Sequence, residues 1–216
     1  MTGPGSDGQT DRANGASGSG RLSADPLAAH RSASDERLLE GFLGGDEAMF
    51  NELIQRHERP LYAFICRFVG DPGDAADLFQ ETFTRVVRHG GSFRGASRFR
   101  TWLYAIAANL CRSHLRKARR ARDSARVDPT LHPDPSAGPG NLVASREIGE
   151  RVALAVQRLP GEQREVVVLR VYDDMSYREI AEVVERPLGT VKSQMRLALG
   201  KLRSDLRAIA QLDTTE

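Results

Sequence analysis

"SYREIAEVVERPLGTVKSQMRLALGKLR", Ser176 to Arg203, decides how the rest of this chain is read. Ser176 followed three residues later by Glu179 is a capping box, in which hydroxyl and carboxylate each satisfy the other residue's backbone N–H. Beyond it Ile180, Ala181 and Val184 recur at the spacing of one helix face, and Ala181 is small where two helices must approach closely. Pro187 holds Arg186 extended and ends that helix. A second helix is expected from about Leu188 to Thr190, with Val191, Met195 and Leu199 as its inner stripe. Its outer face offers Thr190, Lys192, Ser193, Gln194 and Arg196, the side-chain types that bond base edges and phosphates in a major groove. That is the pattern of a helix-turn-helix DNA reader. A plain helical hairpin within a bundle has the same apolar spacing, so the stretch alone leaves both readings open.

Toward the N-terminus lies "GGSFRGASRFRTWLYAIAANLCRSHLRKARRAR", Gly90 to Arg122. Gly90, Gly91 and Gly95 mark a loop that displays Phe93, Arg94, Arg98 and Phe99, and a helix from about Arg100 carries Trp102, Leu103, Ile106 and Leu110 on its core stripe. From Thr82 to Arg122 there are ten Arg, one Lys and no acid, whereas Asp35 to Glu81 holds eleven acids against four Arg. The net charge of +2 therefore hides one half that attracts polyanions and one that repels them. Arginines interleaved with aromatics suit a single strand of nucleic acid, whose phosphates follow cations while unstacked bases settle on apolar surfaces. The competing reading puts Phe99 and Trp102 in the core, with the arginines only keeping the surface soluble and "RKARRAR" a plain basic tail.

The first 34 residues are rich in Gly, Ser, Asp and Ala and cannot bury enough apolar surface to offset their ordering entropy, so a disordered extension is expected over 1–34. Between Asp35 and Gly70 apolar residues fall at Leu38, Leu39, Phe42 and Leu43, then Phe50, Leu53 and Ile54, then Leu61, Phe64, Ile65 and Phe68, one buried stripe per helix. In "DPGDAADLFQETFTRVVRH" Asp71 caps the helix, Pro72 suits its first turn, and Ala75, Leu78, Phe79, Thr82, Phe83 and Val86 share a face. The opposite face carries Asp77, Gln80, Glu81 and Thr84, an acidic stripe that a solvated surface would also present. "ARVDPTLHPDPSAGPGN", Ala125 to Asn141, cannot continue a helix and reads as a linker.

An all-α chain of two small helical domains follows, 35–122 and 142–212, joined by a flexible Pro-rich linker at 123–141. No secretory signal or membrane-length apolar run occurs, so no membrane insertion and a cytoplasmic location are expected. Cys66 and Cys111 stand alone inside apolar helical patterns and are expected to be core thiols, with no disulfide, metal site or cofactor.

Three of these segments, in this order and at this separation, resemble the extracytoplasmic-function (ECF) group of bacterial sigma factors over roughly Asp35 to Leu206. "DAADLFQETFTRVVRH" is similar to the region that docks on core RNA polymerase, "FRGASRFRTWLYAIAANLCRSHLRK" to the promoter-melting region, and "SYREIAEVVERPLGTVKSQMRLALGKL" to the minus-35 reader. The resemblance implies that Asp77, Gln80 and Glu81 face basic residues of polymerase, with Phe83 as packing support. It implies that the loop from Ser92 and Phe93 to Phe99 captures a base flipped from the minus-10 element. Asn109 would lie among the pocket groups, and Arg94, Arg98, Arg100, Arg112 and Arg116 on strand phosphates. It implies that Thr190, Lys192, Ser193, Gln194 and Arg196 meet the minus-35 duplex. Core polymerase and promoter DNA are the expected partners. An anti-sigma factor, which holds many such proteins inactive, is a partner the resemblance allows without requiring it.

The chain departs from that pattern at Glu185, where Gly is frequent, and at Arg186, where an apolar residue is common, so a less tight turn is expected. Gln194 and Leu197 stand where Arg is frequent, which leaves base preference open: Gln prefers adenine, and Leu can only pack on sugar or a thymine methyl. A helix-turn-helix regulator acting without polymerase is the alternative, but the first 140 residues show no dimerisation or ligand-binding pattern. A nucleic-acid-processing enzyme would need a metal-binding carboxylate cluster or a nucleophile with its base, and His89, Cys111 and His114 have no such spacing.

Overall fold

The computed structural model describes residues 30–125 and 143–212, and among them every regular element is helical. The first unit holds α1 (Asp35–Leu43), α2 (Glu47–Val69), α3 (Pro72–His89), a 3-10 turn at Gly90–Ser92 and α4 (Phe99–Ala125). The second holds α5 (Val143–Gln157), α6 (Gly161–Val167) widened into a π turn at Val168–Tyr172, α7 (Tyr177–Val184) and α8 (Leu188–Leu212). The all-helical expectation holds. Most of the expected linker, and residues 1–29 of the expected extension, lie outside the described residues.

Helix starts follow local chemistry. Asp46 accepts from the Ala48 amide at 3.0 Å at the head of α2, and Asp71 accepts from the Asp74 amide at 2.9 Å with Pro72 opening α3. The expected capping box is formed at α7: Glu179 N–H donates to Ser176 Oγ at 3.2 Å, and Ser176 N–H to Glu179 Oε2 at 2.9 Å. Gly70 ends α2 in the left-handed conformation, φ 90°, and a Cβ there would meet Gln157 Oε1 at 2.9 Å. Glycine is therefore favoured by the backbone angle, and a Cβ would in addition have to displace the tip of the Gln157 side chain.

In the first unit, Leu38 and Leu39 of α1, Leu53, Leu61, Phe64, Ile65 and Phe68 of α2, Ala75, Leu78, Phe83 and Val86 of α3, and Leu103 and Leu110 of α4 are all buried. Three expectations shift. Leu43 closes α1 at 49% exposure. Leu199 is 46% exposed while Ala198 is fully buried, because steps of four residues drift around a helix of about 100° per residue and a step of three brings the stripe back. Phe99 is fully buried instead of displayed: its N–H donates to Glu36 Oε1 at 2.9 Å, and its ring lies 5.5 Å from His57 and 5.9 Å from Trp102.

The folded unit also includes His30–Ser34, which the composition assigns to the extension. Arg56 of α2 donates to the carbonyls of His30, Arg31 and Ala33 and to Asp35 Oδ1 at 2.8–3.0 Å, and His57 lies 2.8 Å from Asp35 Oδ2.

One apolar core continues from the first unit into the second, where it is built from Val156, Leu159, Val166–Leu169, Met175, Ile180, Val183, Val184, Val191, Met195 and Ala198. α5, α6 and the π turn pack on α2, and α7 lies against α4. Polar bonds line this seam: Gln157 Nε2 donates to the Arg67 carbonyl at 2.6 Å, and Arg164 Nη1 to the Phe68 carbonyl at 2.8 Å. The Arg67 guanidinium lies over the Tyr172 ring at 4.3 Å.

Candidate nucleic-acid interface

Three surfaces carry the residues singled out by the sequence. On α3, Asp77 and Gln80 are exposed, and Glu81 is half-buried and paired with Arg85 at 3.0 Å. An i,i+4 pair this open to water is weak and leaves Glu81 available to another cation. Phe83 is buried, 5.1 Å from Phe79 and 6.2 Å from Phe50, so it backs this face from within.

The loop and α4 form the second surface. Ser92 and Arg94 are exposed, and Ser92 Oγ donates to the His89 carbonyl at 2.7 Å. Phe93 is half-buried, its ring 5.3 Å from Trp102. Trp102 is thus neither fully core nor free. Arg98 is exposed and approaches Glu179 of α7 at 3.9 Å across an open cleft lined also by Glu36, Thr101 and Glu182. Arg116 is exposed and donates to Ser113 Oγ at 3.1 Å.

The remaining α4 residues turn toward the second unit. Arg100 donates to the Asp173 carbonyl and lies over the Tyr104 ring. Arg112 donates to Glu165 Oε1 at 2.9 Å and also to Asn109 Oδ1. Tyr104, itself buried, donates its hydroxyl to Asp173 Oδ1 at 2.7 Å. Burial governs the ionisation here. It pushes Glu165 up to about 7 against the opposing pull of Arg112. It also raises Asp173, although the Tyr104 hydroxyl and Arg100 act the other way, and it lifts the Tyr104 hydroxyl and the Cys111 thiol far above their ordinary ranges. Asp173 Oδ2 is buried without a protein partner.

The third surface is the helix-turn-helix, α7 with α8. The turn is closed, contrary to the expectation of a looser one. Glu185 takes the left-handed conformation, φ 53° and ψ 47°, while its N–H donates to the Glu182 carbonyl at 3.3 Å and the Arg186 N–H to the Ala181 carbonyl at 3.0 Å. Arg186, in place of an apolar side chain, donates to Glu162 Oε1 at 2.6 Å and ties the turn to α6. On α8, Lys192 and Arg196 are exposed; Thr190, Ser193 and Gln194 are half-buried. Ser193 Oγ bonds back to the Thr190 carbonyl at 2.8 Å, and Thr190 and Gln194 line a small pocket with Glu162, Glu165 and Arg186. Leu197 is 50% exposed.

The seam residues Tyr104, Gln157, Arg164, Glu165 and Asp173 escape the sequence reading. Two local signals point to them: an acid immediately before the apolar run Val166–Leu169, and the small residues Ala105, Ala107 and Ala108 of α4, which permit close helix approach.

Residues 53–121 match the family Sigma-70 region 2, and residues 149–202 match Sigma-70, region 4. The ECF RNA polymerase sigma-E factor of Escherichia coli (strain K12) is 35% identical over 170 residues, covering 75% of this chain and 88% of that protein. The RNA polymerase sigma-H factor of Pseudomonas aeruginosa is 35% identical over 169 residues, covering 74% and 88%. Among solved structures, the sigma factor RpoE in complex with the anti-sigma factor NepR from Bartonella quintana superposes with a TM-score of 0.62 at 26% identity, covering 73% of this chain and 96% of that one. CnrH in complex with the cytosolic domain of CnrY superposes with a TM-score of 0.61 at 26% identity, covering 82% and 99%.

Proposed function

The chain belongs to the extracytoplasmic-function group of RNA polymerase sigma factors, and from that premise we propose that it binds core polymerase, recognises minus-35 and minus-10 promoter elements, and promotes strand opening. The observation that carries this reading is the combination, in one chain, of an acidic outward face on α3, an arginine-lined α4 and an outward-facing reader helix α8. Asp77, Gln80 and Glu81 would meet basic residues of polymerase. Lys192 and Arg196 would reach phosphates and base edges, with Thr190, Ser193 and Gln194 nearer the turn.

Ser92 to Phe93 would cradle an extruded base beside Trp102, and Arg94, Arg98, Arg100, Arg112 and Arg116, with Asn109, would hold the separated strand. Strand opening on this reading requires no covalent step from the protein. The open strand needs only to be bound more tightly than the duplex, because each captured base offsets an unstacking cost of a few kcal/mol.

No helix among the described residues is long and apolar enough to cross a membrane. A chain that acts on polymerase and promoter would do so in the cytoplasm. The likeness to a sigma factor bound to NepR supports including an anti-sigma factor among the partners. The test is in vitro transcription with purified core polymerase on a promoter library. Productive initiation from a shared two-part motif is expected, and the absence of any polymerase-dependent transcript would overturn the reading.

A further inference from the structure

Arg186 is the cation nearest in sequence to the start of the reader helix, two residues ahead of α8. Its side chain lines one small pocket with Thr190 and Gln194, from the first two turns of α8. Nη2 donates to Glu162 Oε1 at 2.6 Å, and among the described residues nothing else is bonded to the guanidinium. A guanidinium carries five N–H donors in a planar fork, so most of its bonding capacity is left for a further acceptor. The side chains of the pair are 38% and 53% exposed, too open to water for the pair to hold the fork against a stronger partner.

The surroundings suit an anion. From Arg186 to Ser204 the chain carries Arg186, Lys192, Arg196, Lys201 and Arg203 and no acid. Gly189, in the first turn of α8, has open space where a side chain would stand. A ligand can therefore come close to the backbone N–H groups at the positive end of that helix. A helix that enters a major groove by its N-terminus brings its leading turn beside the phosphates of the groove edge.

We propose that Arg186, with the first turn of α8, holds a backbone phosphate at the edge of the minus-35 element, a contact that supplies affinity and register but no base preference. This rests on the reading of α8 as the minus-35 helix, and it adds a residue that lies ahead of that helix.

The test titrates holoenzyme, assembled from the full chain, onto a duplex promoter recovered from the library, at several salt concentrations. Arg186→Ala is expected to weaken binding about fivefold and to lower the slope of log affinity against log salt by about 1, by the same factor on duplexes with altered minus-35 bases. Glu162→Gln opens the same ion pair but keeps the cation and removes a charge that repels phosphate. It is expected to bind about twofold more tightly with an unchanged slope. A loss in Glu162→Gln equal to that in Arg186→Ala would mean that the pair only braces the turn, and would overturn the proposal, as would an unchanged slope for Arg186→Ala.

A second measurement locates the contact. Among duplexes in which single phosphates around the minus-35 element are replaced by uncharged methylphosphonates, one linkage is expected to cost wild type about fivefold and Arg186→Ala nothing; equal costs in both proteins at every linkage count against it. Lys192→Ala separates the two levels of the argument. If it lowers the salt slope and Arg186→Ala does not, only the Arg186 contact fails. If neither lowers it, α8 is not the reader and both fail together.

Discussion

Glu165 sits between opposing influences. Arg112 of α4 bonds to it and Arg186 adds a second positive charge, while Glu162 on its own helix favours the neutral acid; burial outweighs the two arginines and places it near 7 against an ordinary 4.5. Below pH 4.5 the group is protonated in the folded and unfolded chain alike. From there to about 7 the folded protein retains a proton that the unfolded chain has released, so stability falls as pH rises, by at most about 3 kcal/mol. Glu165→Gln is expected to flatten that slope in urea unfolding across the same interval, and an unchanged slope would place the titration elsewhere. Glu185 offers a simpler case. A side chain with φ 53° is strained where glycine is not, so Glu185→Gly is expected to stabilise the chain by about 0.5 kcal/mol, read as a rise in urea midpoint.

At the scale of the element, α3 and α8 are predicted to fail in different ways. Reversing charge on α3 with Asp77→Lys and Glu81→Lys is expected to abolish association with core polymerase in a pull-down while circular dichroism keeps its helical signal, since these side chains lie on the outer face. Lys192→Ala with Arg196→Ala on α8 is expected to weaken minus-35 duplex binding and to reduce the slope of log affinity against log salt by about 2. What was legible in the sequence divides along the same physical line. The Asp71 cap, the Ser176–Glu179 box and the buried stripes involve residues within a turn or two, and a pattern records them. Leu199 differs from the pattern because steps of four drift off the buried face, and Phe99 because its burial depends on distant partners, Glu36 and His57. The partners of Arg112, Tyr104 and Arg100 lie 53, 69 and 73 residues away, so the arginines read as free cations until the second unit was seen against them.

For the whole molecule, the Pro-rich boundary suggests two units that fold separately, whereas the core runs through both. A fragment ending at Arg122 is expected to fold, because α1, α2 and α3 pack among themselves. It should be less stable than the full chain by a few kcal/mol, since Tyr104 loses Asp173 and the α2 end loses its cover. Urea unfolding of fragment and full chain measures the difference; equal stability would mean that the seam contributes little.

The π turn at Val168–Tyr172 holds the seam's geometry in its residue count. Such a bulge is one residue more than an α turn accommodates, so shortening it by a single position would twist everything downstream by about 100°. Asp173 would swing away from Tyr104 and the recognition helix would point along a new bearing, with no contact surface altered in composition. Family members of different loop length at this point are thereby expected to differ in the azimuth at which their reader meets the duplex.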